Sequence, residues 1–188
     1  MGAAVLLSAL AFMPPVAAYA AHTSVTIFEI EQHNGEWWLG VWCPREAAAE
    51  AFQQAVPGAE QSDRALRLWT VEHIRQTARF SVSGRLLTIG AAQSRMSARH
   101  VQVHIRLGGA PEALHSLTAA VTSFSHSPHH QNLVRFMAEG AQHRALLDQD
   151  RGFAATVWEA ESSTGLFGWL QKGLASLPGL VASQPQTA

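Results

Sequence analysis

Short runs of alternating apolar and polar residues dominate the chain from His22 to about Trp158. Alternation places successive side chains on opposite faces of a strand, so the pattern predicts an antiparallel β-protein. In the clearest run, from His100 to Gly108, four branched apolar residues face one side and four polar residues face the other. Turn residues separate about seven or eight such runs, a spacing typical of a β-sandwich.

Two hairpin turns can be placed by their residues. His33-Asn34-Gly35 predicts a tight turn between the strand that includes Val25 and the strand that ends at Cys43. Ser83-Gly84-Arg85 predicts a second turn, which pairs residues 80–82 with residues 86–89. Both turns join neighbouring strands, as an antiparallel sheet requires.

Two short helices interrupt the strand pattern. Residues 45–55 are rich in Ala, Glu and Gln, and Pro57-Gly58 follows, so a helix is expected there. A second helix is expected over residues 70–78, where Val71, Ile74 and Ala78 recur at helical spacing. Because helices do not alternate regularly with strands, we expect no parallel pairing.

The chain divides into three parts. Residues 21–160 are expected to form one immunoglobulin-like antiparallel β-sandwich with one or two short inserted helices. Residues 161–188 are expected to form an apolar helix, which ends at Pro178-Gly179, and a flexible tail. The helix either caps the sandwich or contacts a membrane or a partner protein. Its apolar residues are Leu166, Phe167, Trp169, Leu170, Leu174 and Leu177.

Residues 1–20 have the pattern of a signal peptide. Residues 3–13 form an eleven-residue apolar run, Pro14-Pro15 break it, and Ala18-Tyr19-Ala20 offers small residues for cleavage. No Lys or Arg precedes the run, which is unusual for a signal peptide. The run is nevertheless too short for a membrane anchor, which would need about 20 apolar residues. We expect a mature chain that starts at Ala21 or His22, in the periplasm or secreted.

Composition narrows the classes of partner. The full chain has 13 Lys and Arg against 14 Asp and Glu, without a run of like charge, which argues against nucleic acid as a partner. Cys43 is the only cysteine, so disulfides cannot stabilise the domain, and we expect a buried structural thiol.

Ten histidines suggest a copper or zinc site, and their spacing narrows the candidates. His100 and His104 would lie about 13 Å apart along one strand, too far to share an ion. His143 follows the Glu139-Gly140 turn and should lie at the opposite end of its hairpin from His130. These three positions do not form one site.

The loop before residue 131 is the better candidate. His126, His129 and His130 lie within five residues and could converge on a metal ion. His22 offers a second route, because a free α-amine beside its imidazole chelates copper. Asn132 is expected to tie down the loop backbone with its amide, or to shape a ligand surface with His130.

Several motifs occur in a recognisable order. His22 and residues 25–31 open the first strand, the Ser83-Gly84-Arg85-Leu86 turn and residues 117–124 follow, and Pro128-His129-His130-Gln131-Asn132 precedes Leu133-Val134. This order resembles an uncharacterised family of exported bacterial proteins, a domain of unknown function, whose mature chains begin near a His. His129 and His130 stand where the family pattern has an acid and a Gln. The resemblance implies an immunoglobulin-like sandwich outside the cytoplasm and no reaction.

Catalysis is not expected. The chain has no nucleophile elbow, no His-Glu-x-x-His sequence and no phosphate loop, although a triad of distant residues stays open. Asp148 and Asp150 are explained by a polar hairpin turn. The sequence therefore favours an exported binding or structural protein, which contacts another exported or membrane protein through a strand edge or the C-terminal helix. The alternative is a periplasmic copper or zinc binding protein.

Overall fold

The protein is mainly β, and its two sheets form a β-sandwich with two inserted helices. The computed structural model describes residues 24–126 and 129–160. The strands are β1 (Ser24–His33), β2 (Glu36–Pro44), β3 (Ala78–Val82), β4 (Arg85–Leu86), β5 (Thr88–Met96), β6 (His100–Gly108), β7 (Ser116–Val121), β8 (His130–Ala138), β9 (Ala141–Leu147) and β10 (Ala154–Glu159). The helices are α1 (Arg45–Ala55) and α2 (Asp63–Thr77).

The larger sheet has six strands in the order β5-β6-β2-β1-β8-β9. All neighbours are antiparallel except β1 and β8, which run parallel with Ser24 opposite His130. The expectation of purely antiparallel pairing was therefore wrong at this one position. Alternation within a strand fixes which face each residue takes, but not which distant strand lies beside it.

The smaller sheet has the order β10-β7-β3-β4. Both predicted hairpin turns are confirmed, with positive φ at Asn34 and Gly35 in the first and at Ser83 and Gly84 in the second. Two consecutive residues of positive φ match the twist of the strands that the turn connects. The predicted strand over residues 86–89 is split at Leu87, because β4 stays in this sheet while β5 joins the larger one.

Both helices lie between β2 and β3. The helix predicted over residues 45–55 is confirmed as α1. Helix α2 begins at Asp63, earlier than expected, because the Ser62 side chain accepts a hydrogen bond from the Ala65 amide at 3.2 Å and caps the helix. The early start adds about two helical turns, which carry Leu66 into the core.

The core lies between the two sheets and under the helices. Phe28 of the larger sheet packs against Phe80 of the smaller one, with ring centroids 6.3 Å apart. At one end of the core, Phe136 packs against Trp37 and Trp158. Cys43 is fully buried, and burial raises the pKa of its thiol to about 12, so the thiol is an inert part of the core.

The long edge strand β5 was not predicted beyond Ile89. Its residues 90–95 contain no large apolar side chain, so they lack the alternation that marks a strand. Two arginines of α2 donate hydrogen bonds to backbone carbonyls of this edge strand. Arg67 donates to the Ser94 carbonyl at 3.4 Å, and Arg75 donates to the Gly90 carbonyl at 2.9 Å. Occupied edge carbonyls are less open to pairing with another chain.

The expected signal peptide and C-terminal helix lie outside the described residues. Neither α1 nor α2 has the length and apolar character that a membrane crossing requires.

Candidate functional site

Three buried polar side chains and one half-buried serine lie together where β1 and β8 begin. Parallel pairing places Ser24 opposite His130 and Thr26 opposite Asn132, and all four belong to the side of the sheet that faces the core. Thr26, His130 and Asn132 are at most 2 % exposed. We call Ser24, Thr26, His130 and Asn132 the buried polar cluster.

The buried polar cluster holds unpartnered hydrogen-bonding atoms. Across residues 24–126 and 129–160, six buried side-chain nitrogen or oxygen atoms make no hydrogen bond, and five of them belong to this cluster. The five are Ser24 Oγ, Thr26 Oγ1, Asn132 Oδ1 and both ring nitrogens of His130. Each such atom costs about 1–3 kcal/mol unless an ion, a water molecule or a polar ligand meets it. The concentration of five in one place makes this cluster the candidate site.

His130 is the central member. Its ring lies 5.5 Å from the Phe124 ring, and burial lowers the pKa of the imidazole to about 4. The Asn132 side chain lies near enough to raise the pKa in part, but the two groups do not meet in hydrogen-bond geometry, and the nearby His126 lowers the pKa further. The imidazole is therefore neutral at physiological pH, the form in which a ring nitrogen binds a metal ion.

His73 of α2 lies on the other side of Phe124. Its ring stacks on Trp69 at 4.5 Å and lies 5.1 Å from the Phe124 ring. Its Nε2 accepts a hydrogen bond from the Phe124 amide at 3.3 Å, which holds the loop after β7. Burial lowers the pKa of His73, and the nearby His126 lowers it further. His73 and His130, on either side of Phe124, are therefore both neutral at physiological pH.

Asn132 fastens the start of β8 to the chain that follows β7. Its Nδ2 donates to the Val121 carbonyl at 3.1 Å and to the Ser123 carbonyl at 2.9 Å. The Ser123 hydroxyl in turn shares a hydrogen bond of 2.6 Å with Thr77 at the end of α2. Asn132 of the cluster therefore belongs to a hydrogen-bond network that connects β8, the loop after β7 and α2.

The structure separates the three loop histidines by exposure. His130 is buried in β8, whereas His126 and His129 are exposed. No group of three or more His, Cys, Asp or Glu side chains is arranged to hold a metal within the described residues. His22, the fourth predicted ligand, lies outside them.

The remaining histidines lie elsewhere. His143 is paired with Phe136 and lies 6.1 Å from the Trp158 ring, far along β8 from His130. His100 and His104 are exposed on the opposite side of the larger sheet. Sequence reasoning missed His73 as a member of this region, although the helix predicted over residues 70–78 contains it.

The turn after β9 explains both nearby acids without chemistry. Asp148 accepts a hydrogen bond from the Arg151 amide at 3.1 Å, and Asp150 is exposed.

The sequence matches no protein-family model, and no curated protein is significantly similar to it.

Proposed function

We propose that the chain is an exported, non-catalytic binding protein, periplasmic or secreted, on an immunoglobulin-like sandwich. We propose that it binds Cu(II) or Zn(II) at the buried polar cluster. The observation that carries this proposal is His130: both nitrogens of a buried, neutral imidazole lack a partner in the described part of the chain, and His126 is close enough to affect its pKa. Desolvated neutral imidazole is a preferred ligand of both metals.

The parallel pairing supports a second ligand from the N-terminus. Ser24 lies opposite His130, and His22 precedes Ser24 by two residues. Two residues span at most about 7 Å of chain, so we propose that the α-amine and imidazole at His22 reach His130. Cleavage of the signal peptide at either expected position places a free amine beside or near that imidazole. The loop and the N-terminus, which the sequence offered as separate sites, would then form one site.

The ligand set would be His22, His126 and His130, with His129 exposed beside it. Three imidazoles leave the fourth position of a tetrahedral site to the free α-amine or to a water molecule. His73 is excluded at Nε2, because that atom accepts from the Phe124 amide. Its role is to hold the loop.

The test is calorimetric titration of the mature, tag-free protein with Cu(II) and Zn(II) at neutral pH. We expect one ion per chain at submicromolar Kd, and loss of that binding in a His126/His129/His130→Ala variant. The matched control, His100/His104→Ala, removes two exposed histidines and should bind as the native chain does. Adding Gly-Ser before the first residue of the mature chain moves the free α-amine away from His22, so this extended chain should also bind the metal more weakly. Loose binding that no variant changes would contradict the proposal.

Contact with another exported or membrane protein is the second proposed function. The free edge of β5 is nine residues long and is the natural site for strand addition. We rank this function lower because Arg67 and Arg75 already donate to two carbonyls of β5. Capture of a partner that strengthens after Arg75→Met and survives His130→Ala would reverse the ranking.

A further inference from the structure

The larger sheet has a second face, turned away from the core, with an apolar row across it. Trp42, Ile27, Leu133 and Leu146 lie side by side on β2, β1, β8 and β9. All four are half-buried, and the exposed Met137 lies further along β8 on the same side. We call Ile27, Trp42, Leu133, Met137 and Leu146 the outer face.

The indole of Trp42 lies flat across the outer face. A Cβ built on Gly40 would lie 2.7 Å from the Trp42 ring, so the absence of a side chain at Gly40 lets the ring rest on the backbone of its own strand. The His104 ring meets Trp42 edge to face at 6.0 Å. The ring therefore broadens the apolar row along β2.

The described helices and the smaller sheet pack on the opposite side. The buried residues of α1 and α2 belong to one core cluster with Val41, Cys43 and Val101, which alternate with the outer-face positions. Thus no helix or strand within residues 24–126 and 129–160 covers the outer face. A contiguous apolar row on four adjacent strands is typical of a docking surface.

The last described strand, β10, ends on the core side of the larger sheet, beside its edge strand β9. Trp158, near the end of β10, packs on Phe136 at 5.7 Å and lies 6.1 Å from His143 of the edge strand β9. The printed sequence continues for 28 residues after Ala160. Residues 161–165, if extended, span about 17 Å, which is enough to pass around the edge of one sheet.

The next residues match the outer face in length and character. Residues 166–177 would make a helix of about 18 Å, and four adjacent strands span about 14 Å. Leu166, Leu170 and Leu174 recur every four residues, while Lys172, the only charge in this stretch, falls on the opposite side of the helix. An almost uncharged segment with one apolar stripe suits an apolar row.

We propose that the outer face is the docking site for residues 166–177 of the same chain. The stripe of Leu166, Leu170 and Leu174 covers Trp42, Ile27 and Leu133, and the sandwich becomes a three-layered structure. This assignment is independent of the metal site, because the outer face and the buried polar cluster lie on opposite sides of the sheet.

The test is radical footprinting by mass spectrometry on the mature full-length chain. A Leu170→Asp/Leu174→Asp variant places two charges in the stripe, and the control Gly168→Asp/Ala175→Asp places two charges on the opposite side of the same helix. We expect labelling of Trp42 and Met137 to rise severalfold in the first variant and to stay unchanged in the control. Labelling of Leu68, exposed on α2, serves as the internal reference.

Three results would overturn the proposal. Equal labelling of the native chain and both variants would show that the segment does not cover the face. Protection that depends on protein concentration and accompanies a dimer would assign the face to a second copy. Protection that requires phosphatidylglycerol vesicles would assign it to a membrane.

A disulfide test does not depend on the folding of the Asp variants. In Ile27→Cys/Leu170→Cys, oxidation should form an intramolecular bond, whereas Leu68→Cys/Leu170→Cys should not. The native Cys43 is fully buried and does not compete. Equal oxidation of both pairs, or neither, would contradict the proposal.

Discussion

Replacing Asn132 with alanine should destabilise the fold by an amount that its hydrogen bonds determine. The side chain is fully buried and donates to the Val121 and Ser123 carbonyls. Each carbonyl that loses its buried donor costs about 1–3 kcal/mol, and removal of the unpartnered Oδ1 returns part of this. We expect the free energy of unfolding to fall by about 3 kcal/mol. Asn132→Asp, which keeps the shape but cannot donate when ionised, should lose at least as much.

The assay is equilibrium urea unfolding of the metal-free protein, with the slope of the transition compared among variants. The matched control is Gln131→Ala, the neighbouring residue on the opposite face of β8, which should change stability by no more than about 0.5 kcal/mol. An Asn132→Ala variant that lost less than about 1 kcal/mol at an unchanged slope would refute the argument. The loop after β7 would then be held by other contacts.

Three further predictions follow from named contacts. Burial lowers the pKa of His130 from 6.5 to about 4. Between pH 6.5 and about 4, the His130 imidazole is therefore protonated in the unfolded state and neutral in the folded state. The free energy of unfolding should therefore drop by about 3 kcal/mol between those pH values, and His130→Phe should flatten this part of the profile in urea titrations. Gly40→Ala places a Cβ 2.7 Å from the Trp42 ring and should cost about 1–3 kcal/mol in thermal unfolding, whereas Gly108→Ala, whose nearest neighbour is 3.9 Å away, should be nearly neutral. Arg75→Met exposes the Gly90 carbonyl of β5 and should speed aggregation in a light-scattering assay; an unchanged rate would show that this arginine does not protect the edge.

Local pattern predicted much of the sandwich. The alternation in β6 predicted a strand with one buried face, and Val101, Val103 and Ile105 are fully buried. Strand β5 was not predicted beyond Ile89, because Gly, Ala, Gln and Ser make up most of it. As an edge strand it does not require the large apolar residues of a central strand. The parallel neighbour of β1 escaped for another reason. Two strands about a hundred residues apart leave no local signal of their pairing.

The candidate site was predicted in part. The histidine-rich loop drew attention to His126, His129 and His130, but their spacing could not show that only His130 would be buried. Burial of His130 depends on β8 pairing with β1 and on Phe124 packing against it, which are tertiary events. His73 arrives from α2 for the same reason. The spacing of the histidines therefore pointed to the loop before β8, whereas the burial of His130 and the position of His73 depend on tertiary packing.

The most direct test of the metal site is the ¹⁵N histidine spectrum of the mature, tag-free protein during titration with Zn(II). The proposal predicts that the ring nitrogens of His130 and His126 shift together up to one equivalent of metal, while those of His104 and His143 keep their positions. Shifts confined to exposed histidines, appearing only with excess metal and leaving His130 unchanged, would contradict it.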